Sequence, residues 1–218
     1  MKRIILTWAS SGLGASLAEV FHDAGYEVIG LCRTKPADFI NWIETDFLDD
    51  NSLESAIKEI KSSYSNFDVL VLSAGIMQLD PIGEINKWRA EDLLKINVLT
   101  PWYIVSELVN LIKTNEADIV NVWSTVWFKA YESQAFYGAS KWAVRWLDEY
   151  LRLELKKSKV RVIGFNPGWF KSEIVKRATW KQIDLSPYME PSELAKLLFQ
   201  LIQLPKNMEV SEIIINRK

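Results

Sequence analysis

"RIILTWASSGLGASLAEVFHD", residues 3–23, decides the fold. The apolar run Ile4-Ile5-Leu6 predicts a short strand over 3–7, and the chain then opens into a helix-like pattern over 13–24. Between them, "TWASSGLG" turns the chain with Gly12 and Gly14, the spacing of a loop that holds a nucleotide phosphate. In such a loop the first glycine lets backbone approach phosphate, and the second lets the helix pack closely on the strand. A further glycine normally stands four residues before Gly12, and this chain has Trp8 there. Two glycines one residue apart also occur in ordinary turns, so the loop alone leaves both readings open.

Working outward, short apolar runs alternate with longer helical patterns. Strands are predicted at 3–7, 27–31, 41–44, 68–72, 118–122, 161–165 and 212–216, and helices near 13–24, 51–64, 88–113, 136–157 and 191–203. Several of the strands are continuously apolar, as strands covered on both faces of a parallel sheet must be. In the second helix Leu53, Ala56, Ile57 and Ile60 form an apolar stripe, with Asn51 or Ser52 available as its cap. Alternation of this kind predicts an α/β fold: a doubly wound parallel sheet of about seven strands in three α/β/α layers. No repeat, linker or low-complexity tract divides residues 1–218, so a single domain is expected.

Composition narrows the function classes. A net charge of −2 offers no electrostatic case for nucleic acid or an anionic membrane. One cysteine, Cys32, excludes an internal disulfide and suits a reducing compartment, so a cytoplasmic location is expected. Acidic residues form no metal-ligand cluster, and the single histidine, His22, lies in the first helix as an expected surface residue. Ten tryptophans stand against nine glycines, where glycine usually makes up roughly 7% of a chain.

After the second strand, "GLCRT" has Cys32 where an NAD-preferring Rossmann protein carries an acidic residue for the ribose 2′-hydroxyl. Arg33 is then free to meet a 2′-phosphate, which points to NADP, or is a solvated loop residue. "YGASK", Tyr137–Lys141, places a phenol and an ammonium one helical turn apart on one face. A neighbouring ammonium is expected to lower the phenol pKa and fit it for proton transfer to a carbonyl oxygen.

These segments together resemble the short-chain dehydrogenases/reductases. "YGASK" matches the family's Tyr-x-Ala-Ser-Lys element, and Ser124 in "IVNVWST" and Asn97 in "KINVLTP" fall at the family's positions. "FNPGWFKS", "TDF" and "VLSAGI" resemble its Pro-Gly element, its adenine-contacting aspartate, Asp46, and its Asn-Asn-Ala-Gly loop. The resemblance implies oxidoreduction of alcohols and carbonyls with NADP(H) preferred over NAD(H). In it Tyr137 is the acid/base, Lys141 binds the nicotinamide ribose, Ser124 orients the carbonyl and Asn97 orders a relay water. It further implies a cofactor bound by Thr7, Ser10, Ser11, Gly12, Leu13, Gly14, Arg33, Asp46, Phe47, Ser73, Ala74, Gly75, Tyr137, Lys141, Pro167, Gly168 and Ser172.

A small to medium apolar ketone or aldehyde is the expected partner, in a pocket of Ile76, Met77, Trp127, Phe128, Trp169 and Phe170 under a movable cover, 172–189. Helices 88–113 and 136–157 are expected to join copies into a homodimer or homotetramer. The chain departs from the family at Trp8, and at Trp123 and Trp127 beside Ser124. Trp142 and Trp146 stand at small-residue positions and are expected to serve as core or pocket-lining residues. Trp8 keeps open a second reading, a Rossmann-like scaffold that binds cofactor poorly and does not turn over.

Overall fold

A computed structural model describes residues 1–174 and 184–218. Seven strands form one parallel sheet: β1 Arg3–Thr7, β2 Glu27–Cys32, β3 Ile40–Glu44, β4 Val69–Leu72, β5 Asp118–Val122, β6 Val162–Pro167 and β7 Glu212–Ile215. Their order is β3-β2-β1-β4-β5-β6-β7. The order reverses between β1 and β4, and in an open sheet of this type the crevice beyond the strand ends at that point is where ligands bind.

Among the described residues six α-helices flank the sheet: α1 Gly12–Asp23, α2 Asp50–Ser63, α3 Lys87–Leu94, α4 Thr100–Asn115, α5 Ala135–Leu155 and α6 Pro191–Ile202. Alternation along β1 divides the core. Ile4 and Leu6 pack with Leu13, Leu17 and Phe21 of α1 and Leu194 and Leu198 of α6. Ile5 faces the other layer, with Leu53, Ile57 and Ile60 of α2 and Ile104, Val105 and Leu108 of α4. Asp49 caps α2 two to three residues before the expected caps, its carboxylate accepting from Asn51 N at 3.0 Å.

The helix expected over 88–113 is instead two helices joined through a π turn, Lys95–Leu99. Pro101 near the start of α4 has no amide to continue the regular ladder there. Such a turn lets one extra residue bulge from the helix, a device that often marks functional positions. Among the described residues, no helix is long and apolar enough to cross a membrane. His22 stacks on Phe39, ring centroids 4.3 Å apart, away from the crevice residues described below.

Two tryptophans expected in the core or lining the pocket are on the surface, outside the lining of the cavity described below. Trp142 and Trp146 are 51% and 58% exposed, because α5 turns that face outward. Trp123 is the buried one: a Cβ added at Gly164, on the neighbouring strand β6, would come within 2.7 Å of its ring. A glycine on β6 thus leaves the room that an indole on β5's exit requires.

Candidate active site

The crevice at the carboxyl ends of β1, β4, β5 and β6 is a cavity of about 200 Å³. It gathers Ser10, Ser11, Gly12, Leu13 and Gly14 from the first loop and α1, Arg33 from the loop after β2, and Ser73 and Gly75 from the loop after β4. Ser124, Tyr137 and Lys141 line it from the other side, with Pro167, Gly168 and Ser172 below. Residues widely separated in sequence therefore meet in one place.

Each is held for a local reason. Ser124 follows β5 in extended backbone and begins a 3₁₀ turn, Thr125–Trp127, its hydroxyl accepting from Val126 N at 3.4 Å. Tyr137 and Lys141 lie on the first turns of α5, with the ammonium 5.7 Å from the phenol ring centroid. Ser140 donates to the Tyr137 carbonyl at 2.7 Å and accepts from Asn97 Nδ2 at 3.1 Å. Asn97 also clamps Ile76 by both backbone groups: its Oδ1 accepts from Ile76 N at 2.8 Å and its Nδ2 donates to Ile76 O at 2.9 Å. The π turn thus brings Asn97 into the wall behind the cavity, where it ties α5 to the loop after β4. Gly75 permits that arrangement, since a Cβ there would stand 3.3 Å from Asn97 Oδ1 and 3.4 Å from Lys141 Nζ.

Burial sets the electrostatics differently from the expectation drawn from helical spacing. Lys141 is 5% exposed, and desolvation lowers its pKa to about 8. Its Nζ donates to the Val122 carbonyl at 3.3 Å. Burial pushes Tyr137 up to about 12, against a smaller downward pull from its hydrogen bond with Ser124. The phenol therefore holds its proton throughout the neutral range, and the lowering expected from the ammonium does not prevail. Desolvation outweighs a cation that is itself driven toward neutrality.

Four expected cofactor residues do not line the cavity: Thr7, Asp46, Phe47 and Ala74. Thr7 is buried as scaffold, its Oγ1 accepting from Ser73 N and Ala74 N, each at 2.9 Å. Asp46 Oδ1 accepts from Leu48 N at 2.9 Å and its Oδ2 lies 3.8 Å from Arg33. Phe47 belongs to the core layer beneath α2 and α4, and Ala74 packs against that layer.

Of the expected substrate wall, Ile76, Met77, Trp169 and Phe170 line the cavity, and Trp127 and Phe128 do not. Trp127 is held against Trp123, Phe128 and Trp142, with the Arg145 guanidinium 4.5 Å over its ring. That arginine, also 2.8 Å from Glu212, pulls the indole away from the crevice. Phe128 is exposed.

Ser172, Glu173 and Ile174 begin the expected cover and reach the cavity, while 175–183 of it lie outside the described residues. Sequence reading missed Thr34, Tyr131 and Gln134, which also line the cavity. Gln134 stands one turn before Tyr137, and that helical spacing was the signal available for it.

The residues present fit part of a dinucleotide. Gly14 lets α1 press on the first loop, for a Cβ there would lie 2.1 Å from the Trp8 carbonyl oxygen. Gly12, at φ +56°, has nothing within 4 Å of its notional Cβ, so the start of α1 is bare where it meets the cavity. Ser11 makes no side-chain cap there, which leaves the first-turn amides for another acceptor. The nicotinamide and diphosphate portions of such a group thus find a lined space, whereas Asp46, the residue expected beside adenine, does not line it.

Fold and site together define a Rossmann-like α/β protein whose candidate site lies at the sheet's switch point. Comparison gives the family: residues 2–182 match the short chain dehydrogenases, and the chain belongs to that family. It is 26% identical to an uncharacterized oxidoreductase of Staphylococcus saprophyticus, over 98% of this chain and 96% of that one. An uncharacterized oxidoreductase of Thermotoga maritima is 30% identical over 83% of this chain and 71% of its own. In fold the chain is similar to an alcohol dehydrogenase of Thermococcus sibiricus complexed with 5-hydroxy-NADP. That match has a TM-score of 0.89 at 21% identity and covers 99% of this chain and 96% of the other.

Proposed function

We propose that this protein is an NADP(H)-preferring oxidoreductase that reduces a small to medium apolar ketone or aldehyde, or oxidises the corresponding alcohol. The observation that carries this reading is the meeting of Ser124, Tyr137 and Lys141 in one cavity with apolar Ile76, Met77, Trp169 and Phe170. When bound, a nicotinamide cofactor supplies or accepts the hydride. Ser124 holds the substrate oxygen through its hydroxyl, and Tyr137, protonated at neutral pH, delivers the proton to that oxygen. Lys141 reaches the cofactor ribose by the same ammonium that faces Tyr137. Asn97 acts by position, holding Ile76 and Ser140 so that the floor and wall keep their spacing.

Arg33 lines the cavity, and its exposed pairing with Asp46 at 3.8 Å is weak enough for a 2′-phosphate to replace. A buried free thiol at Cys32 supports a reducing, cytoplasmic setting. The exposed Leu99 of the π turn and Trp102 of α4, with Trp142, Trp146, Tyr150 and Leu153 of α5, support a homodimer or homotetramer. Fluorescence titration with NADPH tests the reading: saturable binding at micromolar concentration is expected, and no binding would favour the scaffold alternative.

A further inference from the structure

The first loop holds a conflict between backbone and side chain. Trp8 sits at φ +55°, in the left-handed region that is unfavourable for a non-glycine residue. Its amide still extends the ladder, donating to Leu31 O at 2.8 Å. Continued extended backbone would send residue 8 to the α1 and α6 face, with Ile4 and Leu6. Instead the indole is half-buried against the opposite layer, the one that contains Leu31, Phe47 and Ile96 and against which Ala74 and Ile76 also pack. Trp8 itself lines the cavity, and Asp46, Phe47 and Ala74 do not.

Indole and adenine are flat fused bicycles of nearly equal size. The layer that receives the indole also holds Phe47 and receives Ala74, two residues expected to bind cofactor, and Phe47 follows Asp46, the residue expected beside adenine, so the indole takes the space a base would need there. We propose that Trp8 fills the adenine subsite of this chain, so that the nicotinamide and phosphate portions of the cofactor carry its binding. The adenine ring is then left outside the groove, and the 2′-phosphate at Arg33 anchors the adenosine end in place of its base. This rests on the nicotinamide reading above and concerns only how the adenosine half is held.

The test is a calorimetric comparison of NADH with its abasic analogue, which keeps both phosphates and both riboses and lacks only the adenine base, on the wild-type protein and Trp8→Gly. In wild type the two should bind within about threefold of one another, because adenine adds little. Trp8→Gly should tighten NADH at least about tenfold, about 1.4 kcal/mol, and leave the abasic analogue unchanged. Trp8→Asn, also at ease at positive φ, gives a second variant with the same expectation should the glycine protein not fold. Wild-type NADH binding more than about tenfold tighter than the abasic analogue would show an open adenine subsite and overturn this inference alone. Equal gains for both ligands in Trp8→Gly would overturn it as well. If neither ligand binds any of the proteins, the nicotinamide reading falls together with it.

Discussion

Alanine at Gly14 and alanine at Gly12 should fail in different ways, although the two glycines are one residue apart. At Gly14 the added Cβ would stand 2.1 Å from the Trp8 carbonyl oxygen and 2.8 Å from its carbonyl carbon. Both are backbone atoms of a loop fixed to β2 by Trp8 N→Leu31 O, so no side-chain rotation relieves the overlap. Helix α1 or the loop must move, and overpacking of this kind costs roughly 1–3 kcal/mol. With the clash against backbone we take about 3 kcal/mol, which in a chain of this size lowers Tm by about 6–12 °C.

At Gly12 nothing lies within 4 Å, so the cost of alanine is the left-handed φ of +56° alone. That is roughly 1–2 kcal/mol, or about 2–8 °C. Its methyl group, however, joins the cavity lining, so NADPH affinity should fall about tenfold. Thermal unfolding followed by circular dichroism, with NADPH calorimetry on each variant, separates the two effects. A Gly14→Ala protein melting within about 2 °C of wild type would refute the close-approach argument.

Further outcomes follow from the same geometry. Lys141→Met should abolish turnover yet stabilise the protein at pH 7 by on the order of 2–3 kcal/mol, because it removes a buried ammonium. Since the lysine pKa is about 8 when folded and 10.5 otherwise, that gain is full below pH 8 and fades between the two values, which urea unfolding against pH can follow. Thr7→Val should cost about 2–4 kcal/mol in urea unfolding by orphaning the Ser73 and Ala74 amides, whereas Thr7→Ser should cost less than about 1. Arg33→Ala should weaken NADPH by about ten- to a hundredfold and leave NADH nearly unchanged in calorimetry. Paired Trp142→Glu and Trp146→Glu should yield monomers by light scattering, and an unchanged assembly would remove α5 from the interface.

What was legible in the sequence was periodic or local. Strand β1, the loop "TWASSGLG" and the start of α1 could be placed because apolar alternation, paired glycines and helical spacing are written within a few residues. The seven strands lie within two residues of their predicted ends for the same reason. Tertiary choices were not legible. Nothing near Asn97 announces a π turn, and nothing near Trp127 shows that Arg145, eighteen residues on, will hold its ring away from the crevice. Trp142 and Trp146 look like core by residue type, but their place on α5 is set by which face meets the sheet. The four-residue spacing of Tyr137 and Lys141 carries no measure of depth, and depth drives the phenol up and the ammonium down. Trp8 was visible as an anomaly, whereas the layer receiving its indole depends on a backbone angle.

The most direct test of the central claim is NADPH consumption with a panel of apolar ketones and aldehydes, measured for wild type and Tyr137→Phe beside NADPH calorimetry. The phenylalanine ring keeps the cavity shape and removes the one proton held at that position. Wild-type protein should turn over at least one carbonyl compound. In Tyr137→Phe the rate should fall about 10²- to 10⁴-fold while NADPH affinity stays within a few-fold. A Tyr137→Phe protein keeping more than about a tenth of the wild-type rate would contradict the account.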